Sequence, residues 1–99
     1  MEKITLSERI QFGPMFQPQI VRNANGLKVP LICMEPGQFI PPHPGGTGVF
    51  YIMEGKGTMT IEGKEVAVSA GDMIFIEKGE ARGIKAVEKL IAFAIHFTG

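Results

Sequence analysis

Tryptophan is absent from this 99-residue chain, and cysteine and tyrosine occur once each. A lone Cys33 excludes an intramolecular disulfide, so the fold has to be held by its core, and a reducing, cytoplasmic setting is expected. Net charge is missing as well. Ten Lys and Arg residues balance ten Asp and Glu residues, which leaves no global field to draw in nucleic acid or an anionic membrane surface. Neither partner is expected. Long apolar runs are also lacking: residues 49–53 and 90–95 are far shorter than the roughly 20 residues that cross a bilayer. Met1-Glu2-Lys3-Ile4 has no charged-then-apolar lead of the secretory kind. No stretch carries a sustained helical period, and with only two histidines, His43 and His96, ligands for a metal are few.

Glycine and proline, by contrast, are plentiful at 13 and 7, and 44% of residues are hydrophobic, enough for a folded core. A chain of this length holds one domain over residues 1–99. A small barrel of zero net charge gains from pairing, so a homodimer is expected. Residues 1–22, broken by Gly13-Pro14 and Gln17-Pro18, read as an N-terminal arm with edge strands, and residues 28–97 as a barrel. Asn25-Gly26 predicts a tight turn into a β-rich run over 28–35. Residues 36–48, with four prolines and four glycines, read as a loop, stiff at first and flexible afterwards. A second tight turn at Glu62-Gly63 sets Thr60 opposite Glu65 and Met59 opposite Val66. Short strands around 48–54, 73–76, 81–86 and 89–97 bring the count to seven or eight, an all-β closed barrel or double-sheet jelly roll.

Pro36-Gly37 through His43-Pro44, then the buried run from Val49 to Met53 ending in Glu54-Gly55-Lys56-Gly57, then Ala70-Gly71-Asp72 leading an apolar strand toward Gly79, resemble the paired motifs of the cupin family. About half the chain carries the resemblance. It implies a single-domain cupin-type jelly-roll β-barrel of short antiparallel strands. The mouth of such a barrel normally holds a divalent metal, and the family includes dioxygenases, isomerases and ligand-sensing domains. The family's metal set is two histidines and a glutamate from the first motif and a histidine from the second. Against that pattern only His43 remains, matching the first or the second histidine according to the register chosen. Gly48 stands at the glutamate, Arg82 at the third histidine, Glu77 at the usual proline and Ala86 where an asparagine often follows.

One imidazole cannot hold zinc, iron or manganese tightly, so no cofactor is expected, although manganese, iron, nickel or zinc on His43 is the route by which one would bind. His43 otherwise reads as a residue of the pocket mouth or as a solvent-facing loop histidine. Arg82 offers a permanent, forked cation that can take a carboxylate or phosphate, unless Glu80 or Glu54 pins it or it turns outward. Phe50 and Ile52 share a face with Gly48 and are expected to wall the cavity, a placement that ordinary core packing explains as well. On the last strand the bulky residues Ile91, Phe93, Ile95 and Phe97 alternate with Leu90, Ala92, Ala94 and His96, so the second face leaves room. If that face lines the cavity, His96 is a second pocket imidazole; the alternative is a dimer contact or an exposed end. Of Cys33 and Met34, whichever faces inward is a pocket wall or a soft ligand.

Two functional classes follow. The first is a small-molecule-binding cupin with a degenerate metal site, taking a small anionic ligand through His43 and Arg82, with Phe50, Ile52 and His96 around it. The second is an enzyme. It is either a metal-dependent cupin of dioxygenase or isomerase type with a rearranged ligand set, or a metal-free one with His43 as general base beside Arg82.

Overall fold

The computed structural model describes residues 1–98. After one 3-10 turn at Leu6–Glu8 the chain runs through nine strands: β1 (Gln19–Ala24), β2 (Leu27–Met34), β3 (Phe39–His43), β4 (Gly48–Glu54), β5 (Lys56–Ile61), β6 (Lys64–Ser69), β7 (Met73–Ile76), β8 (Arg82–Ala86) and β9 (Leu90–Phe97). They form two antiparallel sheets, ordered β1-β2-β9-β4-β7 and β3-β8-β5-β6, packed face to face as a jelly roll. Both tight turns stand where the sequence puts them. Asn25 and Gly26 have φ of 53° and 79°, and Glu62 and Gly63 have 49° and 78°, the pair of positive angles that a two-residue hairpin turn needs. The second turn sets Thr60 against Glu65 and Met59 against Val66.

Alternation along each strand decides what the sheets enclose. Ile32 and Met34 of β2, Phe50 and Ile52 of β4, Met59 of β5, Ile84 and Ala86 of β8, and Leu90, Ala92 and Ala94 of β9 all turn inward and form one buried cluster. Leu31, Cys33 and Ile91 face the opposite way, under Leu6, Ile10 and Phe12 of the N-terminal arm. Met34 is thus the inward one of its pair, and Cys33 is a small apolar residue beneath the arm. Gln38 ties the arm down: its side-chain amide donates to the Gly13 carbonyl at 2.8 Å, and its side-chain oxygen accepts the Glu35 N–H at 2.8 Å.

The expectation of a loop over residues 36–48 needs correction. Residues 39–43 are a strand, but an edge one, paired only with β8 and broken by a register shift between Ile40 and His43. Pro41 and Pro42 fall in that irregularity, where no ladder donor is lost. Gly83 of β8 lies so close beneath that a Cβ there would stand 2.6 Å from the Ile40 carbonyl oxygen and 2.7 Å from Pro42 N. The glycine-rich second half is tied rather than free: the carbonyls of Gly45, Gly46 and Thr47 accept in turn from Gly79 N–H, Arg82 Nη1 and Phe97 N–H. No helix among the described residues is long and apolar enough to cross a membrane.

Candidate ligand-binding site

At one end of the barrel two cross-strand rows face each other. In the larger sheet Lys28, His96, Gly48 and Ile76 stand side by side across β2, β9, β4 and β7. In the smaller sheet His43, Arg82 and Ile61 do the same across β3, β8 and β5. The period of two that turns Ile32 and Met34 inward also turns Lys28 inward, and the period that buries Ala92 and Ala94 aims His96 the same way. Between the rows opens a cavity of about 890 Å³. Phe50, Ile32, Pro30, Ile40 and Ile84 supply its deeper wall, Phe16, Pro18 and Ile20 come from the arm and the start of β1, and Pro44 through Thr47 form the rim.

Among the described residues Arg82 is the one charged residue that is buried, 3% exposed. Its guanidinium donates from Nε to the Glu80 carbonyl at 2.8 Å, from Nη1 to the Gly46 carbonyl at 2.8 Å, and from Nη2 to the Glu77 carbonyl at 3.1 Å. Three of the five N–H groups are thereby used, and two remain without a protein acceptor among the described residues. No carboxylate there forms an ion pair with it. Arg82 is pinned, then, by backbone carbonyls rather than by a Glu80 or Glu54 side chain, and it still lines the cavity. Burial draws its pKa below the ordinary value, an effect that the nearby Glu80 charge opposes. Gly45 lies against the guanidinium; a Cβ there would be 3.0 Å from Nη1.

His96 is half-buried, its ring in a T-shaped contact with that of Phe50 at 5.4 Å between centroids. Burial first, and then the charges of Arg82, Lys28 and His43, lower its pKa, favouring the neutral ring. The ring occupies the room left by Gly48, where a Cβ would stand 2.6 Å from Nδ1 of His96. His43 is exposed at the rim. Its Nδ1 lies 3.0 Å from the Pro41 carbonyl, an acceptor that requires the proton on Nδ1 and leaves Nε2 free.

Of the residues expected at the site, His43, Arg82, Phe50 and His96 come together around the cavity, and Ile52 does not. Ile52 is fully buried one layer deeper, among Met34, Met59 and Leu90, because each step of two along β4 moves down the barrel. The residues present do not fit a divalent metal. Among the described residues no three His, Cys, Asp or Glu side chains gather, and the two imidazoles stand beside Arg82 and Lys28, whose charges repel a cation. Lys28, Lys78 and Phe16 were not foreseen. Lys28 could have been found by counting back in twos from Met34; Lys78 sits in a turn and Phe16 in the irregular arm, where no period applies.

Comparison with known proteins agrees with this architecture. A family model described as "Cupin domain" matches residues 30–96. Among solved structures, the chain is similar to an uncharacterised conserved protein with a double-stranded β-helix domain from Klebsiella pneumoniae (TM-score 0.87, 20% identity, covering 100% of this chain and 91% of that one). It is similar to an RmlC-like cupin protein from Desulfovibrio desulfuricans (TM-score 0.84, 20% identity, 97% and 96%). It also resembles KdgF from Halomonas sp. (TM-score 0.76, 20% identity, 88% and 83%). No curated protein matches the sequence.

Proposed function

Because the chain belongs to the cupin family, whose barrel frames a single mouth, we propose that it binds a small anionic molecule with an apolar body in that mouth. One observation carries the reading: every ionisable side chain lining the cavity is basic, namely Lys28, His43, Lys78, Arg82 and His96, in a chain whose charges balance overall. A volume of about 890 Å³ suits a small organic ligand rather than a macromolecule. The apolar wall takes the body of the ligand. The two spare N–H groups of Arg82, with Lys28 beside them, take its charged end. Burial strengthens that attraction, since a charge in a poorly hydrated cleft is screened less than one at the surface.

Isothermal titration calorimetry with octanoate and with its uncharged analogue octanamide tests the proposal. Octanoate should bind at least tenfold more tightly than octanamide, and the preference should weaken as salt is raised. Equal affinity for the two would remove the anion from the reading and leave only an apolar pocket.

A further inference from the structure

Lys28 and His96 are directly opposed on neighbouring strands and point to the same side. Cross-strand partners hold their Cβ atoms about 5 Å apart, and two like charges in that position repel. Among the described residues, every element that brings an ionisable group to His96 brings a basic one: Lys28 from β2, Arg82 from β8 and His43 from β3. Gly48 of β4 contributes no side chain, and Phe50 contributes an uncharged ring in a T-shaped contact. No carboxylate among the described residues lines the cavity. Those of the preceding turn are used or turned elsewhere; Glu80, for example, accepts the Glu77 N–H at 2.7 Å through Oε1. Among the described residues, therefore, no carboxylate stands where it would stabilise a proton on His96.

An anion seated between the two rows reverses that balance. Its charge enters the space that Arg82, Lys28 and His96 share, and a nearby negative charge favours the protonated imidazole. Building on the anion-binding reading above, we propose that ligand capture is coupled to protonation of His96. The empty site holds the ring neutral, the bound anion draws one proton onto it from solvent, and the ion pair so formed adds to the grip of Arg82. Capture strengthens as the solution becomes more acid and weakens toward alkaline pH, so the cavity loads and unloads across the neutral range where an imidazole titrates.

Octanoate, which stays ionised between pH 6 and 8, serves as the probe. Calorimetry in cationic buffers of different ionisation enthalpy counts the protons taken up on binding, and the carbon resonance of the His96 ring reports its protonation directly. The expected result is uptake approaching one proton per octanoate near pH 6.5–7. Affinity should rise about tenfold from pH 8 to pH 6, the His96 resonance should move to its protonated position on binding, and uptake should be absent in His96→Gln. Tight binding of octanoate with no proton uptake, or with an unmoved His96 resonance, would overturn the coupling and leave the anion site standing. Absence of octanoate binding to the folded protein at both pH 6 and pH 8 would overturn the anion site as well. The resonance is read on the unaltered protein, so the outcome stands even where His96→Gln does not fold.

Discussion

The two ends of the space between the sheets are built on opposite terms. At the closed end Met34, Ile52, Met59, Leu90 and Ala92 are completely shielded from solvent, all apolar, each on the face that strand alternation assigns to it. At the mouth the same alternation turns Lys28 toward His96 and leaves Arg82 buried with no carboxylate partner among the described residues. Like charges in register work against folding, and a buried cation without an ion pair does so too unless, as with Arg82, backbone carbonyls hold it. Where local choices oppose the fold while everything around them agrees with it, the departure marks the place that serves something other than stability. The closed end makes the barrel, and the mouth uses it.

Three substitutions break or sharpen that division. The largest effect belongs to Arg82→Met, which strips a charged donor from three backbone carbonyls at once. At about 1–2 kcal/mol for each carbonyl left unsatisfied at this partly solvated rim, the loss is roughly 3–6 kcal/mol in urea unfolding, together with at least a tenfold loss of octanoate affinity. Stability and binding fall together, because Arg82 also ties the rim through Gly46. Met59→Ala should separate them: truncating a fully buried side chain costs about 3 kcal/mol, while octanoate affinity in the folded variant stays within about twofold of the parent. A large loss of binding there would mean that the closed end shapes the ligand site after all.

The smallest effect is in His96→Gln, read as thermal stability against pH. In the folded chain the His96 pKa lies below its unfolded value of about 6.5, so the unfolded state binds the proton more readily. The contribution is present above about pH 6.5 and is lost as pH falls through the folded value. Wild type should therefore lose more stability than His96→Gln between pH 7 and pH 5, and saturating octanoate should remove the difference. Identical pH profiles for the two proteins would mean that the positive row at the mouth exerts no strain.

Legibility in the sequence follows the same line. Strands with an unbroken period of two were readable, and with them the hairpin register at Glu62-Gly63 and the two unequal faces of β9, though not which of those faces turns inward, so that His96 stayed open between the cavity and an exposed end. Residues 39–43 were hidden because Pro41 and Pro42 forbid a central strand yet are tolerated on an edge, and edge position depends on where β8 lies. Ile52 shares a face with Phe50, but which of two same-face residues meets the cavity is a matter of depth, set by where the sheets close together. The role of Arg82 as a tie among the carbonyls of Gly46, Glu77 and Glu80 depends on loops brought together only in the fold.

The fit of His96 against Gly48 also constrains how such a chain can change. Position 48, where the resemblance puts the family's metal-binding glutamate, admits no side chain while an imidazole fills the adjoining space, and the Ile95 carbonyl oxygen, 2.7 Å from where a Cβ would stand, closes the other approach. A glutamate at 48 and a histidine at 96 in its present pose are alternatives that exclude each other. Passage between a metal-holding barrel and this one cannot run through a single replacement at 48: the imidazole has to leave or rotate, and the backbone at Ile95 has to give as well. Anyone redesigning this barrel to hold a metal should change position 96 and shift the backbone at Ile95 before placing a carboxylate at 48.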